Sequence, residues 1–415
     1  RAVVHELLDP DQLDALFELN SVEQYERMIP FYAVVYAMAE LALGTISSKN
    51  QAYKKYQQEI AANKAAFYNK LNRTEPGISE ALVRFSATKV GALLKQLDFQ
   101  PWEVLPGYRC YSLDGNHFKK SQRRLKEARL ITAPPLPGSV VAKYDHQSGL
   151  FSDAYALECG HAQEASLVDR IIADSDHGDL YIADRHYCTK RFVFGLINAN
   201  CFFVVRQKMT FTGKLVGKRQ KVGHTETGMV FEQAVVINRG GETHTIRRIT
   251  VELDEPTRDG ETEIHLFTNA AAKTSALAIA DAYRHRWEIE TGFHCMTMTL
   301  CCESTGNCYP RCAILQFCMA MVAYNARRLL LASLYCVHEE ASVDALSEYQ
   351  VSLEVTTHMA GLCTAITERE WEDIVGTDGK SVCRFLLKIA RRIDPKKYVK
   401  STRGPKRPPP EKRKM

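Results

Sequence analysis

The sequence predicts an α/β protein: a mixed β-sheet core preceded by helices and interrupted by a β-rich insertion. Three observations carry that reading. The first hundred of the 415 residues place apolar side chains at helical spacing. Between Tyr108 and Val205, short apolar strands alternate with helical runs. From about Arg206 to Glu263 the pattern becomes strand-like segments, and two helical runs follow.

Taken in order, Asp9 or Asp11 is placed to cap a helix through Leu13, Leu16 and Phe17. Further helices are expected over 22–43, 51–71 and 78–97, the last ending near the breaker Pro101. A strand over 108–113 runs into Asp114-Gly115, and strands 140–144 and 150–157 form a hairpin through Gln147-Ser148-Gly149. A helix over 162–173 precedes a buried strand, 179–183, that ends on Asp184. Helix 192–198 and strand 201–205 complete the series. Three strands followed by crossover units match an RNase H-like core. Segments 235–238 and 245–253, divided by Gly240-Gly241, form the insertion. A strand over 264–268, a helix over 275–300 and an apolar helix over 313–334 follow. The expected division is therefore 1–103, an N-terminal helical domain and candidate DNA-binding domain; 104–206 and 264–345, the two parts of the core; 207–263, the insertion; and 346–415, a C-terminal region with a basic tail.

Composition sets the broad class. Hydrophobic residues at 45% and charged residues at 25% fit a globular protein in water, and the length suggests two or three domains. No apolar run is long enough for a bilayer and no signal-peptide pattern opens the chain, so a cytoplasmic protein with reduced thiols is expected despite 13 cysteines. The chain opens on Arg1 rather than Met, which leaves room for a start further upstream. Net charge is +5, but from Arg384 onward 13 Lys and Arg face only Asp394 and Glu411. Such an end favours a polyanionic partner, a solvated tail being the alternative.

Asp114 and Asp184 each fall at the tip of an apolar strand, a common way to build a metal site, although Asp also favours turns there. Tyr283, Arg286 and Glu290 fall at i, i+3 and i+7, which places them on one helical face. Phosphodiester attack needs charge neutralised on the nucleophile, the phosphoryl oxygens and the leaving oxygen. Two Mg²⁺ or Mn²⁺ ions held by carboxylates do this. Arg286 would then hold a phosphate, and Tyr283 would hydrogen-bond one nearby. Lys119, Lys120, Arg123 and Arg124 follow Asp114, and Lys218 and Arg219 lie in the insertion, where they suit a phosphate-binding wall. Cys295, Cys301, Cys302, Cys308 and Cys312 lack the paired spacing of a structural zinc site.

On these residues the chain resembles the insertion-sequence transposases of the fourth family, whose signature is Tyr-x2-Arg-x3-Glu-x6-Lys. Tyr283, Arg286 and Glu290 match it, as do the Leu-Asp-Gly-Asn around Asp114, the Ala-Asp-Arg around Asp184 and the Leu-Phe-Thr-Asn ending at Asn269. The resemblance implies an RNase H-like core with a catalytic, metal-binding triad of Asp114, Asp184 and Glu290. It also implies cut-and-paste transposition with Mg²⁺ or Mn²⁺, and a homodimer on paired double-stranded DNA ends. Position 297 carries Thr where the signature has Lys, so an ammonium clamp is missing there. His294, one turn from Glu290, is the candidate to contact DNA instead. The competing expectations are an RNase H-like nuclease without strand transfer and a non-catalytic DNA-binding remnant of a transposase.

Overall fold

A computed structural model gives the fold and describes residues 2–24, 28–118, 138–159, 162–304, 309–366, 370 and 378–400. Among the described residues seven helices come first: α1 (Ala2–Leu7), α2 (Pro10–Asn20), α3 (Phe31–Leu43), α4 (Lys49–Lys55), α5 (Gln57–Ile60), α6 (Lys64–Arg73) and α7 (Pro76–Gln96). α2 starts where its cap predicts: the Asp9 carboxylate accepts from Gln12 N–H at 3.0 Å and Pro10 occupies the first turn. The helix expected over 22–43 begins only at Phe31. Glu75 accounts for the difference, because its carboxylate accepts from the N–H groups of Val22, Glu23 and Gln24 at 2.9–3.0 Å. Those donors are satisfied in a turn around a distant side chain, and Pro30 sets the new start. The run 51–71 is three helices, broken at Tyr56 and at Ala61, whose φ of 48° is left-handed.

Among the described residues nine strands form one sheet: β1 (Arg109–His117), β2 (Ser139–Asp145), β3 (Leu150–Leu157), β4 (Asp179–Ala183), β5 (Phe202–Arg206), β6 (Lys214–Thr225), β7 (Gly228–Arg239), β8 (Glu242–Leu253) and β9 (Glu263–Thr268). Their order is β3-β2-β1-β4-β5-β9-β8-β7-β6. β1 with β4 and β4 with β5 are parallel, and the other neighbours are antiparallel. β9 pairs with β5 on one side and β8 on the other, so the insertion extends the main sheet. β6 escapes sequence reading because it is an almost wholly exposed edge strand with no buried alternation.

The remaining helices are α8 (Val168–Ala173), α9 (Lys190–Asn198), α10 (Ala276–Arg284), α11 (Trp287–Thr299), α12 (Pro310–Tyr335), α13 (Glu340–Asp344), α14 (Glu348–Ala365) and α15 (Gly379–Ala390). The helix expected over 275–300 is thus two, α10 and α11, with His285 and Arg286 forming a turn between them. At this junction the N–H groups of His285, Arg286 and Glu288 reach carbonyls only three residues back, which tightens the backbone and interrupts the α ladder.

Alternation along the strands creates two faces. Leu113, Val141, Tyr155, Tyr181 and Phe203 pack with α8 and α9 on one side. On the other, Leu180, Ile182, Val204 and Leu266 meet α10, while Val140, Ala142 and Ala154 meet α11, α12 and the N-terminal helices. The N-terminal helices therefore share a core with the sheet. α12 is buried on nearly every side, at the centre of that core. Among the described residues no helix is long and apolar enough to cross a membrane.

Candidate catalytic site

The register of the parallel strands places the first two carboxylates. β1 pairs with β4 through Ser112 and Ile182, a constant offset of 70 residues. Asp114 and Asp184 each follow the last paired residues, Ser112 and Ile182, by two positions, Asp184 just past the end of β4. Adjacent strands lie about 4.8 Å apart. Asp114 shares the parity of Cys110 and Ser112, hence the sheet face whose core residues meet α10.

Asp114 is half-buried, with its Oδ1 accepting from Gly115 N–H at 3.0 Å. Burial pushes its carboxyl up to about 7, the charges of Glu290 and Glu164 add to that, and Arg286 opposes it. Arg286 Nη1 lies 2.7 Å from Glu290 Oε1, so α11 brings a glutamate and a guanidinium over Asp114 together. The Arg286 side chain is only 11% exposed, and its Nε is buried without a hydrogen-bond partner among the described residues. Tyr283 completes this neighbourhood. Burial holds its phenol above the usual range, Asp184 adds to the shift, and Arg286 and Arg206 counter it. Asp184 itself is partly exposed. It accepts from His186 N–H at 2.7 Å, and His186 Nδ1 lies 2.6 Å from its other oxygen.

Two parts of the site left no mark in the sequence. Glu164 opens a 3₁₀ turn before α8 and accepts from the Tyr187 hydroxyl at 3.1 Å. A Cβ on Gly115 would fall 1.9 Å from Glu164 Oε1, so the glycine after Asp114 permits a close approach. Glu288 accepts from buried His146 Nδ1 at 2.8 Å and lies 2.6 Å from His285 Nδ1. Burial acts against its charge, yet these two imidazole contacts outweigh it and hold the carboxyl down at about 2. No motif spacing links residues 142 positions apart.

The other expected residues are spread more widely. His294 is exposed on α11. The Thr297 hydroxyl donates to Phe293 C=O at 2.9 Å, one turn back on the same helix. Lys218 is exposed on β6. Arg219 spans Glu252 and Glu263 at 2.7 and 2.9 Å and lies 4.0 Å over the Phe231 ring, so its charge serves the insertion itself. Lys119, Lys120, Arg123 and Arg124 lie outside the described residues, as does Cys308. Cys295 contacts Arg327 at 3.0 Å and Glu348 at 2.9 Å in a buried polar cluster.

Carboxylate oxygens are the donors that hard divalent cations take, and around Asp114 the charges of Glu290 and Glu164 stand against that of Arg286. The donor set therefore fits Mg²⁺ or Mn²⁺. Among the described residues, no three such side chains already stand close enough to hold an ion. A cleft of about 680 Å³ borders the α10–α11 junction, with Glu226 and Leu253 on one wall and Tyr283, His285 and Trp287 on the other.

Residues 138–326 match the family model of the transposase DDE domain, a stretch that includes Asp184 and Glu290 and begins after Asp114. The chain is similar to DDE transposases. It is 33% identical over 159 residues to a protein of Sinorhizobium fredii (strain NBRC 101917 / NGR234) that bears the name transposase y4zB. That alignment takes in 37% of this chain and 43% of the relative, so the chain spans less than half of the relative's length. Among solved structures, the piggyBac transposase synaptic complex with hairpin DNA aligns over 90% of this chain and 82% of its own. Its identity is 9% and its TM-score 0.42, too distant to carry weight.

Proposed function

We propose that the chain is a DNA transposase that cuts phosphodiester bonds at transposon ends and joins the freed strand to target DNA. The observation that carries this reading is a pair of neighbouring parallel strands, β1 bearing Asp114 and β4 leading into Asp184, with Glu290 of α11 near enough to Asp114 to raise its pKa. Strand order β3-β2-β1-β4-β5, with β2 antiparallel to both neighbours, supports an RNase H-like core. The match to the transposase DDE domain supports the reaction class.

Asp114, Asp184 and Glu290 would hold Mg²⁺ or Mn²⁺, and a pair of such ions would neutralise charge on the attacking and leaving oxygens. The chain's own groups position the substrate. Arg286 orients Glu290 and offers its remaining N–H groups to a phosphate oxygen. Tyr283 donates a hydroxyl beside it, while exposed His294 and Lys218 meet the DNA backbone further out. Water attacks the phosphorus and the bond to the 3′ oxygen breaks. The freed 3′-hydroxyl then attacks a target phosphodiester in the same geometry, and the target strand's own 3′ oxygen leaves as a hydroxyl. Two copies would act on paired double-stranded ends.

Purified protein with a labelled transposon-end duplex and Mg²⁺ or Mn²⁺ tests this. Cleavage should disappear in Asp114→Ala, Asp184→Ala and Glu290→Ala proteins that still bind the duplex. Nicks without joined products would make the chain a nuclease. Binding without cleavage at any metal concentration would leave a non-catalytic DNA-binding protein.

A further inference from the structure

The proposed catalytic carboxylates sit on two unconnected elements, Asp114 on β1 and Glu290 on α11. A phosphoryl-transfer site needs such groups held to within a fraction of an ångström. The Arg286–Glu290 pair lies within the α10–α11 segment itself, so it does not tie the helix to the strand.

A third element does. His146 sits in the turn between β2 and β3 with its side chain wholly buried. Its Nε2 lies 2.7 Å from Ser112 Oγ and its Nδ1 lies 2.8 Å from Glu288 Oε2. A carboxylate can only accept, so Nδ1 donates to Glu288, while Nε2 and the Ser112 hydroxyl share the other hydrogen bond. The second Glu288 oxygen lies 2.6 Å from His285 Nδ1, in the turn between α10 and α11. Ser112 is two residues before Asp114, and Glu288 is two residues before Glu290. One imidazole thus joins the strand and the helix at the same short offset from each carboxylate. The Tyr144 ring stands edge-on to it at 5.3 Å between centroids, which limits its rotation.

We propose that His146 is a positioning residue that sets the separation of Asp114 and Glu290, and so the affinity of this site for divalent cations. The inference rests on the transposase reading of the site. Partners that orient metal ligands typically change affinity or activity by about tenfold or more when removed.

The test is an Mn²⁺ titration of the full chain, followed by the electron paramagnetic resonance signal of free ion, beside cleavage kinetics on the end duplex. His146→Ala should lower Mn²⁺ affinity and kcat by about tenfold with KM for DNA within about twofold. His146→Gln, whose amide keeps a donor and an acceptor, should recover most of the loss. Thr250→Val serves as a structural control, because it removes the contact of buried Thr250 with His265 between β8 and β9, 3.0 Å long. It should leave both readouts unchanged.

A folded His146→Ala protein with wild-type affinity and kcat overturns the proposal, and so does an equal loss in Thr250→Val. Should His146→Ala fail to fold, Ser112→Ala decides: weaker Mn²⁺ binding supports the clasp and unchanged binding overturns it. Wild-type protein that neither binds Mn²⁺ nor cuts DNA overturns the transposase reading, and the clasp's role with it. Wild-type protein that does both, beside an indifferent His146→Ala, overturns the clasp alone.

Discussion

At the scale of single residues, the raised carboxyl of Asp114 works against the stability of the fold. An acid whose folded pKa is raised destabilises the fold as pH rises, the reverse of a salt-bridged carboxylate. Below about pH 4 the group is protonated in both folded and unfolded chains and costs nothing. Between about 4 and 7 the unfolded chain ionises while the native carboxyl, at about 7, resists, and the cost grows to its full size. A shift of that size corresponds to about 4 kcal/mol, which partial exposure reduces to about 2 kcal/mol. Asp114→Asn removes the cost. In chelator, its melting temperature should exceed that of wild type by a few degrees at pH 8, and the gap should shrink towards pH 4. A gap that widens on acidification would contradict the assignment. Adding Mn²⁺ should raise the melting temperature of wild type and leave Asp114→Asn unchanged.

Elements meet through similarly small sets of groups. β3 is the edge of the sheet, so the outward N–H and C=O of Phe151 have no strand to bond. Asn325 on α12 supplies both partners: its Oδ1 accepts from Phe151 N–H and its Nδ2 donates to Phe151 C=O, each at 2.9 Å. The same amide donates to Ser86 on α7 at 2.9 Å. One fully buried side chain thus holds the central helix, the edge strand and an N-terminal helix together. Asn325→Ala should cost about 2–4 kcal/mol, since two buried backbone groups lose their partners. A shift in the urea midpoint of less than the equivalent of about 1 kcal/mol would show that water replaces the amide. α11 depends on such links as well, because its helical propensity alone does not select the face that meets β1.

Across the whole molecule, charge separates into an internal and an external part. Many arginines pair internally: Arg219 with Glu252 and Glu263, Arg286 with Glu290, Arg327 with Glu348. The excess positive charge lies towards the end of the chain. Residues 401–415 carry six Lys and Arg and one Glu. Their removal should flatten the dependence of DNA affinity on salt, by a slope of roughly five on a log–log plot if all six meet phosphate. Cleavage rate at saturating DNA should stay within about twofold. An unchanged slope would mean that the tail is solvated and the DNA contacts lie elsewhere.

Local pattern was enough for most of the architecture. Leu150–Leu157 and Asp179–Ala183 were legible in full, because a two-residue alternation and a short continuous apolar run suit a strand better than a helix. The capped helix at Pro10 was legible because its signal lies within four residues. Reading failed where a distant side chain or an exposed surface decided. Glu75 holds Val22 to Gln24 out of a helix, β6 buries almost nothing, and the α10–α11 break turns on a three-residue backbone tightening.

For the site, the sequence by itself determined the candidate acids, the Tyr283-Arg286-Glu290 spacing and a 70-residue interval between Asp114 and Asp184. Only the tertiary structure gave that interval meaning, as the register offset of two parallel strands. It alone also brought Glu164 to Gly115 and His146 between Ser112 and Glu288. The reason is physical. Periodicity and capping act over one or two turns of chain, whereas the ionisation of Asp114 and the placement of Glu290 depend on charges and hydrogen bonds from residues far away in sequence.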